Sequence, residues 1–302
     1  MDRLDAMAIL VTAVETGSLS AAGRKLRVPL PTVSRKISDL EAHLNSQLLI
    51  RSTRKLATTA AGAAYVAAAK RILDQVDEAE RVATGEFAAP RGEIVVTAPI
   101  LFGRLHVLPV VADFLNRFRE IDARLMLSDR NMHLIDDHID LAVRIGALTD
   151  HGLKATRLGT VRHVVCGSPD YFDRNGTPEE PGDLSRLSAI TFEGLGGAAF
   201  WSFPMLKSGR EKSVPVRSRL QVNTAEAAID AAIAGVGVTR VLSYQVVQAV
   251  AAGRLRIVLA DFEPEPLPVH LVYAGQEFLP LKTRALVDHM GPRIRERLAG
   301  TV

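Results

Sequence analysis

Within the first sixty residues the apolar positions fall into three short helical stripes separated by turn residues, and this spacing constrains the fold more than any other feature of the chain. Leu4, Met7, Ala8, Val11 and Val14 recur at steps of three and four, the period that stacks side chains on one helix face. Gly17 ends the stripe. Ser18 is placed to cap a second helix from Leu19 to about Leu26, its hydroxyl accepting from a first-turn N–H. Ala21, Ala22 and Gly23 keep that helix thin enough for another to cross it closely. Arg27-Val28-Pro29 makes the turn, and Pro31 suits the first turn of a third helix, where a missing N–H costs nothing. Val33, Ile37, Leu40 and Leu44 form its buried stripe and leave Thr32, Ser34, Arg35, Lys36 and Ser38 outside.

Two short helices joined by a tight turn, the second presenting polar and basic residues near its start, have the geometry that enters a DNA major groove. Leu48-Leu49-Ile50 and Leu56-Ala57-Thr58 then flank a basic tip, Arg51-Ser52-Thr53-Arg54-Lys55. This predicts a hairpin wing whose arginines reach phosphates or a minor groove. Through Thr58 there are nine Lys/Arg against five acids, a net +4, while all 302 residues together carry +3. A compact basic head on a near-neutral body points to nucleic acid. The candidate DNA contacts are Ser20, Leu30, Pro31, Thr32, Ser34, Arg35, Lys36, Arg51, Thr53 and Arg54. Taken singly, each cation also fits a solvated face; together they sit on two protruding elements of one small domain.

The string from Gly17-Ser18-Leu19-Ser20-Ala21-Ala22 through Val33-Ser34-Arg35-Lys36-Ile37, Leu40-Glu41, Leu44 and Leu48-Leu49-Ile50-Arg51 to Leu56-Ala57-Thr58-Thr59-Ala60-Ala61-Gly62 resembles the winged helix-turn-helix of LysR-type transcriptional regulators. The match is closest to the branch whose wing reads Arg-x-Thr-Arg. Pro29 and Leu30 stand where that family often has Ser and Gln, so a capping hydroxyl and an adenine-reading amide are missing; Leu30 suits a thymine methyl. Asn45 replaces a usual Gly and tolerates the left-handed conformation of a helix end.

Thr59 is placed to cap a helix running to about Thr84, roughly 38 Å long. Tyr65, Ala69, Ile72, Val76, Ala79 and Ala83 alternate by four and three, the a/d pattern of a helix seam. Packing on its own domain and pairing with a second copy both fit this stripe. The latter is favoured because a linker has little else to bury it against, and the resemblance also implies a dimerising helix, hence a homodimer or homotetramer. Pro90 and Gly92 break the helix. From Glu93 strands alternate with helices: Ile94–Ala98, a helix from Leu105 to Arg119, Arg124–Ser128, Ile139–Ile145, then Val161–Cys166, Ala189–Phe192, Arg219–Val222, a helix Ala225–Ala234, Val236–Val241, Val269–Ala274 and a final helix Leu281–Leu298. Such alternation argues for parallel α/β sheets.

The expected fold is thus α/β overall: a winged helix-turn-helix over 1–58, a linker helix and hinge over 59–91, and an effector domain over 92–302. The resemblance implies a periplasmic-binding-protein-like pair of lobes, lobe one from 92–160 and 269–302, lobe two from 161–268. Ligands of open α/β sheets sit beyond the carboxyl ends of strands. The candidate effector contacts are therefore Pro99, Ile100, Phe102, Arg144, Ile145, Phe192, Asn223 and Thr224, with ordinary strand-end packing as the alternative for each. Free N–H groups at helix starts near residues 101 and 224 would suit an anion. Pro99 replaces a Ser or Thr of many relatives, which fits an apolar effector or none.

Other classes fit less well. The run Ala6–Val14 is flanked by acids and has no cleavage site, so it reads as a helix rather than a signal peptide, and the cytoplasm is expected. No stretch approaches eighteen uninterrupted apolar residues, so no membrane span is predicted. Asp136-Asp137-His138 with Asp140 fits no zinc spacing, Gly235-Val236-Gly237 follows a helix rather than a strand, and no Gly-x-Ser-x-Gly is present. No enzyme, metal or cofactor is expected. Cys166, the only cysteine, sits in an apolar strand and reads as a buried inert thiol. The rivals are a periplasmic solute-binding protein, which a basic head does not suit, and an enzyme on the same lobes, for which no nucleophile is apparent.

Overall fold

A computed structural model describes every residue except 1, 52–55, 85–88, 131, 135–136, 149–151, 193–199, 205–210, 276–278 and 301–302, with the side chains of 51, 78 and 81–84 also outside the description. The chain forms two compact units, Met1–Ala89 and Pro90–Val302.

The first unit opens with α1 (Arg3–Thr16), capped by Asp2, whose carboxylate accepts from the Leu4 N–H at 3.0 Å. Gly17 ends it in the left-handed conformation at φ 72°. Ser18 caps α2 (Leu19–Leu26), accepting from the Ala21 N–H at 3.0 Å. Arg27 and Asn45, at φ 56° and 47°, make the turns before and after α3 (Leu30–Leu44). The expected stripe on α1 is only partly the observed one. Ala6, Ile9, Leu10, Val11 and Ala13 are buried while Leu4 is 40% exposed, because α2, α3 and the linker helix all pack on α1. A helix covered on several sides loses the narrow stripe of a surface helix.

β1 (Leu49–Arg51) and β2 (Leu56–Thr58) form the antiparallel wing, Leu49 opposite Thr58 and Arg51 opposite Leu56. One oxygen of Glu41 on α3 accepts from both the Leu48 and Leu49 N–H groups, at 2.8 and 3.0 Å, and so ties wing to helix. Thr59 caps the linker helix α4 (Ala60–Thr84) through the Gly62 N–H at 2.9 Å and donates to the Gln47 carbonyl at 2.7 Å. Gly62 is required by close approach: a Cβ there would lie 1.9 Å from the Leu48 carbonyl oxygen. Val66 and Ala69 of α4 join the core of this unit, Tyr65 and Leu73 pack against it, and Ile72 stays 38% exposed.

In the second unit β3 (Gly92–Ala98) leads into α5 (Ile100–Phe102), a π-helical turn (Gly103–Val107) and α6 (Leu108–Arg117), then β4 (Ile121–Leu127), β5 (Leu141–Ile145) and β6 (Leu153–Val161). After Arg162 come β7 (His163–Gly167), α7 (Pro169–Asn175), β8 (Ser188–Phe192), the hairpin β9 (Phe200–Pro204) and β10 (Glu211–Pro215), β11 (Arg217–Val222), α8 (Ala225–Ile233), β12 (Val238–Leu242), α9 (Ser243–Ala251) and β13 (Arg256–Val258). β14 (Leu267–Ala274) and α10 (Leu281–Ala299) complete it.

One sheet has the order β4-β3-β5-β14-β6 and the other β11-β8-β12-β7-β13. Neither is wholly parallel, contrary to the alternation argument. β3 runs parallel to β4 and β5, and β8 to β11 and β12, but β14 is antiparallel to β5 and β6, and β7 to β12 and β13. The reason is topological: β7 and β14 each enter a lobe from the other one, at the end where the neighbouring strands leave. Phe102, Phe114, Leu141, Leu271 and Met290 anchor the main core. Trp201, Phe203 and Val214 of the β9–β10 hairpin pack in a separate cluster with Phe172 and Leu184, so Trp201 is a packing anchor. Cys166 is fully buried in β7, and burial pushes its thiol up to about 12, as expected of an inert thiol.

Candidate DNA-binding face and interlobe cleft

The outer face of α3 begins without a side-chain cap, since Pro29 holds that position. Its first turn closes through the Thr32 and Val33 N–H groups onto the Pro29 carbonyl, at 2.9 and 3.1 Å. Leu30, 47% exposed, Pro31 and Arg35 point outward, Thr32 and Ser34 are half-buried beside them, and Ser20 is exposed on α2. Lys36 is engaged elsewhere: its ammonium pairs with Asp5 of α1. Glu15 likewise draws in Lys70 at 2.8 Å and Lys25 at 3.8 Å. The Lys36–Asp5 pair takes charge from the α3 face without adding much stability, and it leaves Arg35 as that face's exposed cation. The backbone of Arg51 lies in β1; Thr53 and Arg54 fall outside the described residues.

In the second unit a cleft of about 220 Å³ opens between the two sheets. From the first lobe it is lined by Pro99, Asp129, Arg130, Met132, Arg144 and Ile145, and from the second by Phe192, Ala225, Leu242, Tyr244 and Gln245. Four of the expected contacts, Pro99, Arg144, Ile145 and Phe192, are therefore brought together. The other four are not among the lining residues. Ile100 turns its N–H to the Asp129 carboxylate at 3.0 Å. Phe102 is fully buried, its ring 4.8 Å from His106 and 5.2 Å from Tyr244. Thr224 caps α8 through the Ala227 N–H at 3.3 Å, with Asn223 exposed just ahead of it. A phenylalanine next to a strand end is worth more in the core than in a polar mouth, and a threonine hydroxyl at a helix start has a backbone N–H within reach.

Asp129, Arg130, Tyr244 and Gln245 were missed by sequence reasoning, although the rule that pointed to Pro99 also covers them: they follow the carboxyl ends of β4 and β12. Arg144 donates to the Met132 carbonyl. Gln245 accepts from the Leu242 N–H at 2.9 Å and donates to the Tyr244 hydroxyl at 3.2 Å. Burial raises the Tyr244 phenol above its usual range, and the Asp129 carboxylate adds to that. Behind the cleft, His106 is 5% exposed and neither ring nitrogen has a partner among the described residues. Burial, then the Arg297 guanidinium, holds it down to about 4. Arg104 of the π-helical turn pairs with Glu226 of α8 at 2.7 Å, an exposed link between lobes. Among the described residues no group of three or more His, Cys, Asp or Glu is placed to hold a metal ion, and no single helix is long and apolar enough to cross a membrane.

Residues 4–63 match the bacterial regulatory helix-turn-helix protein, lysR family, and residues 88–295 match the LysR substrate binding domain. The chain belongs to the LysR family. It is a DNA-binding transcription regulator of the LysR type, with the winged head, linker helix and two-lobed α/β domain of that fold, and the family is one of regulators rather than enzymes. Over 292 residues it is 36% identical to an HTH-type transcriptional repressor of Pseudomonas aeruginosa, covering 95% of this chain and 91% of the relative. It is 28% identical to the HTH-type transcriptional activator AaeR of Escherichia coli over 290 residues, 96% and 93% of the two chains. Among solved LysR structures, full-length AphB of Vibrio cholerae, a virulence activator, superposes with a TM-score of 0.61 at 25% identity over 95% of this chain and 98% of that one. CrgA of Neisseria meningitidis gives 0.61 at 27% over 96% and 98%. A repressor and an activator share this LysR architecture, so the sign of regulation is not carried by the fold.

Proposed function

We propose that this LysR regulator grips two operator half-sites as a dimer or tetramer, and that a small molecule held in the interlobe cleft changes how the heads engage DNA. The functional parts follow the sequence divisions: head 1–58, linker 59–91, and effector domain 92–302 with lobes 92–160 plus 269–302 and 161–268. The observation that carries the reading is the outward face of α3. It sets Leu30, Pro31, Thr32, Ser34 and Arg35 on one protruding surface, and the wing is tied to it through Glu41. Arg35 reads base edges; Ser20, Arg51, Thr53 and Arg54 position the head on phosphates. Lys36 contributes less, being spent on Asp5. The exposed side of Ile72 and the half-buried Val76 on α4 supply the seam for a second copy, which fixes half-site spacing. In the cleft, Pro99, Arg144, Ile145 and Phe192 contact the effector. Regulation requires that the effector bind one lobe arrangement better than another.

The test is a footprint of the full chain on the DNA just upstream of its own coding region, in competition with random duplex, with and without the small-molecule fraction of a cell extract. A symmetric pair of protected half-sites is expected. Affinity should fall by about three to five orders of magnitude between about 50 and 200 mM salt if roughly six to ten phosphates are contacted. The extract should change the footprint, and Ile145→Trp, which fills the cleft, should remove that change. No protection there or on genomic fragments would overturn the DNA reading; an extract effect that survives Ile145→Trp would overturn the cleft reading.

A further inference from the structure

We infer that Leu30 is a base-reading residue of the head: its side chain selects a thymine in each half-site through the C5-methyl group, next to the base that Arg35 reads. This rests on the DNA reading of α3 above. A single exposed leucine carries no message on a protein surface. This one does, because of where it stands and what flanks it. Pro29, Leu30 and Pro31 are three consecutive exposed residues without a polar side chain, a run that is out of place on a surface unless it meets a partner. Leu30 is 47% exposed, although the apolar residues that follow it on α3, Val33, Ile37 and Leu40, are fully buried. The patch is continuous with the outward face of the helix. Leu30 and Ser34 are four residues apart on α3, as are Pro31 and Arg35, and such pairs lie one above the other. From Leu30 to Arg35 the helix rises about 7.5 Å at 1.5 Å per residue, and base pairs rise about 3.4 Å, so the two side chains address bases within about two pairs of each other.

The chemistry of this helix start favours a base over the backbone of DNA. A helix ordinarily offers its first N–H groups to a phosphate. Here Pro29 and Pro31 have none, and those of Thr32 and Val33 donate to the Pro29 carbonyl at 2.9 and 3.1 Å. At most the Leu30 N–H is left for an oxygen. What α3 presents first to DNA is therefore carbon. A phosphate or a hydrogen-bonding base edge pressed against it would lose water without gaining a bond, at a cost. The thymine C5-methyl is the apolar group among the major-groove edges of the four bases, so it is the one that gains by meeting Leu30. Cytosine has an amino donor there and no methyl. Lys36 does not compete for the position, since it is paired with Asp5. Arg35 remains to take a hydrogen-bonding edge beside the methyl.

The experiment selects duplexes from a random pool with the full chain. The thymines of one selected half-site are then replaced singly by uracil, which keeps every hydrogen-bonding group and removes only the methyl. One thymine is expected to be sensitive, its uracil form binding about fourfold more weakly, the worth of one buried methyl. Leu30→Ala shortens an exposed side chain, so the head keeps its fold, and the variant should bind the thymine and uracil duplexes equally. Leu30→Met keeps an apolar contact and should keep the penalty. Indifference of the wild type to uracil at every position would overturn the inference. So would a penalty that persists undiminished in Leu30→Ala, which would set the methyl against another residue. A pool from which nothing is enriched would overturn the DNA reading of α3 itself; the other two results arise only with a selected duplex in hand, so the two failures are distinct.

Discussion

Acid should destabilise the effector unit through His106, by an amount that the structure sets. The side chain is 5% exposed, wedged between Phe102 and Tyr244 at ring distances of 4.8 and 5.5 Å, and neither nitrogen has a partner among the described residues. Burial and Arg297 lower it from 6.5 to about 4. Because the folded value lies below the unfolded one, the folded state resists the proton that the unfolded state accepts. Stability is therefore full above pH 6.5 and declines as pH falls toward 4. At pH 5 an unfolded imidazole is almost fully protonated and the folded one about a tenth so, a loss of about 2 kcal/mol relative to pH 7. Trp201, the only tryptophan, is buried in lobe two, so its fluorescence in a urea titration reports on this unit. His106→Phe should shrink the stability difference between pH 7 and pH 5 by about 2 kcal/mol. A residual slope should remain from His163, which burial and Arg240 also lower to about 4. An unchanged pH dependence in the variant, or a wild type more stable in acid, would refute the reasoning.

The other predictions concern the head and linker. Gly62→Ala should destabilise the first unit by about 3 kcal/mol, an overpacking cost against backbone that cannot give, seen as an earlier loss of helical circular dichroism on heating. Arg35→Ala should cost about 1–3 kcal/mol of discrimination between operator and random duplex, whereas Lys36→Ala should change operator affinity by less, because Lys36 is already paired with Asp5; equal losses of discrimination would sink that division of roles. Ile72→Glu places a charge on the exposed seam of α4 and should lower the sedimentation coefficient toward that of a monomer, while a full-size assembly would show that the seam lies elsewhere.

The head was the most legible part of the chain because its signals are local. Ser18, Pro31, Asn45 and Thr59 act on backbone within a few residues, so each marks its helix end in the sequence alone. The stripe on α1 was misread for the opposite reason: which residues of an apolar helix are buried depends on how many neighbours surround it, and those arrive from α3 and α4. In the effector unit β3, β8, β12 and β14 announced themselves as apolar runs. β6, whose burial pattern is mostly exposed or intermediate, carried no such run, and the antiparallel placement of β14 follows from chain routing between lobes, which no local pattern encodes. Of the expected cleft residues, Phe102 packs beside His106 and Tyr244, and Thr224 caps α8, contacts set by chain segments distant in sequence or by the helix start itself. Asp129 and Tyr244 line the cleft from the segments after β4 and β12, where no local apolar pattern marks them.

The two strands that cross between lobes are fastened to each other. Arg162, on the first crossing, pairs with Glu263 beside the second at 2.6 Å, and Glu263 is only 10% exposed. The Arg162 backbone also exchanges hydrogen bonds with Ser243 at the head of α9, its N–H to the hydroxyl at 3.2 Å and its carbonyl from the Ser243 N–H at 2.8 Å. Two separate tethers would let the lobes slide, twist or bend. Cross-linked tethers oppose sliding and twisting more than bending, since the first two motions pull Arg162 from Glu263.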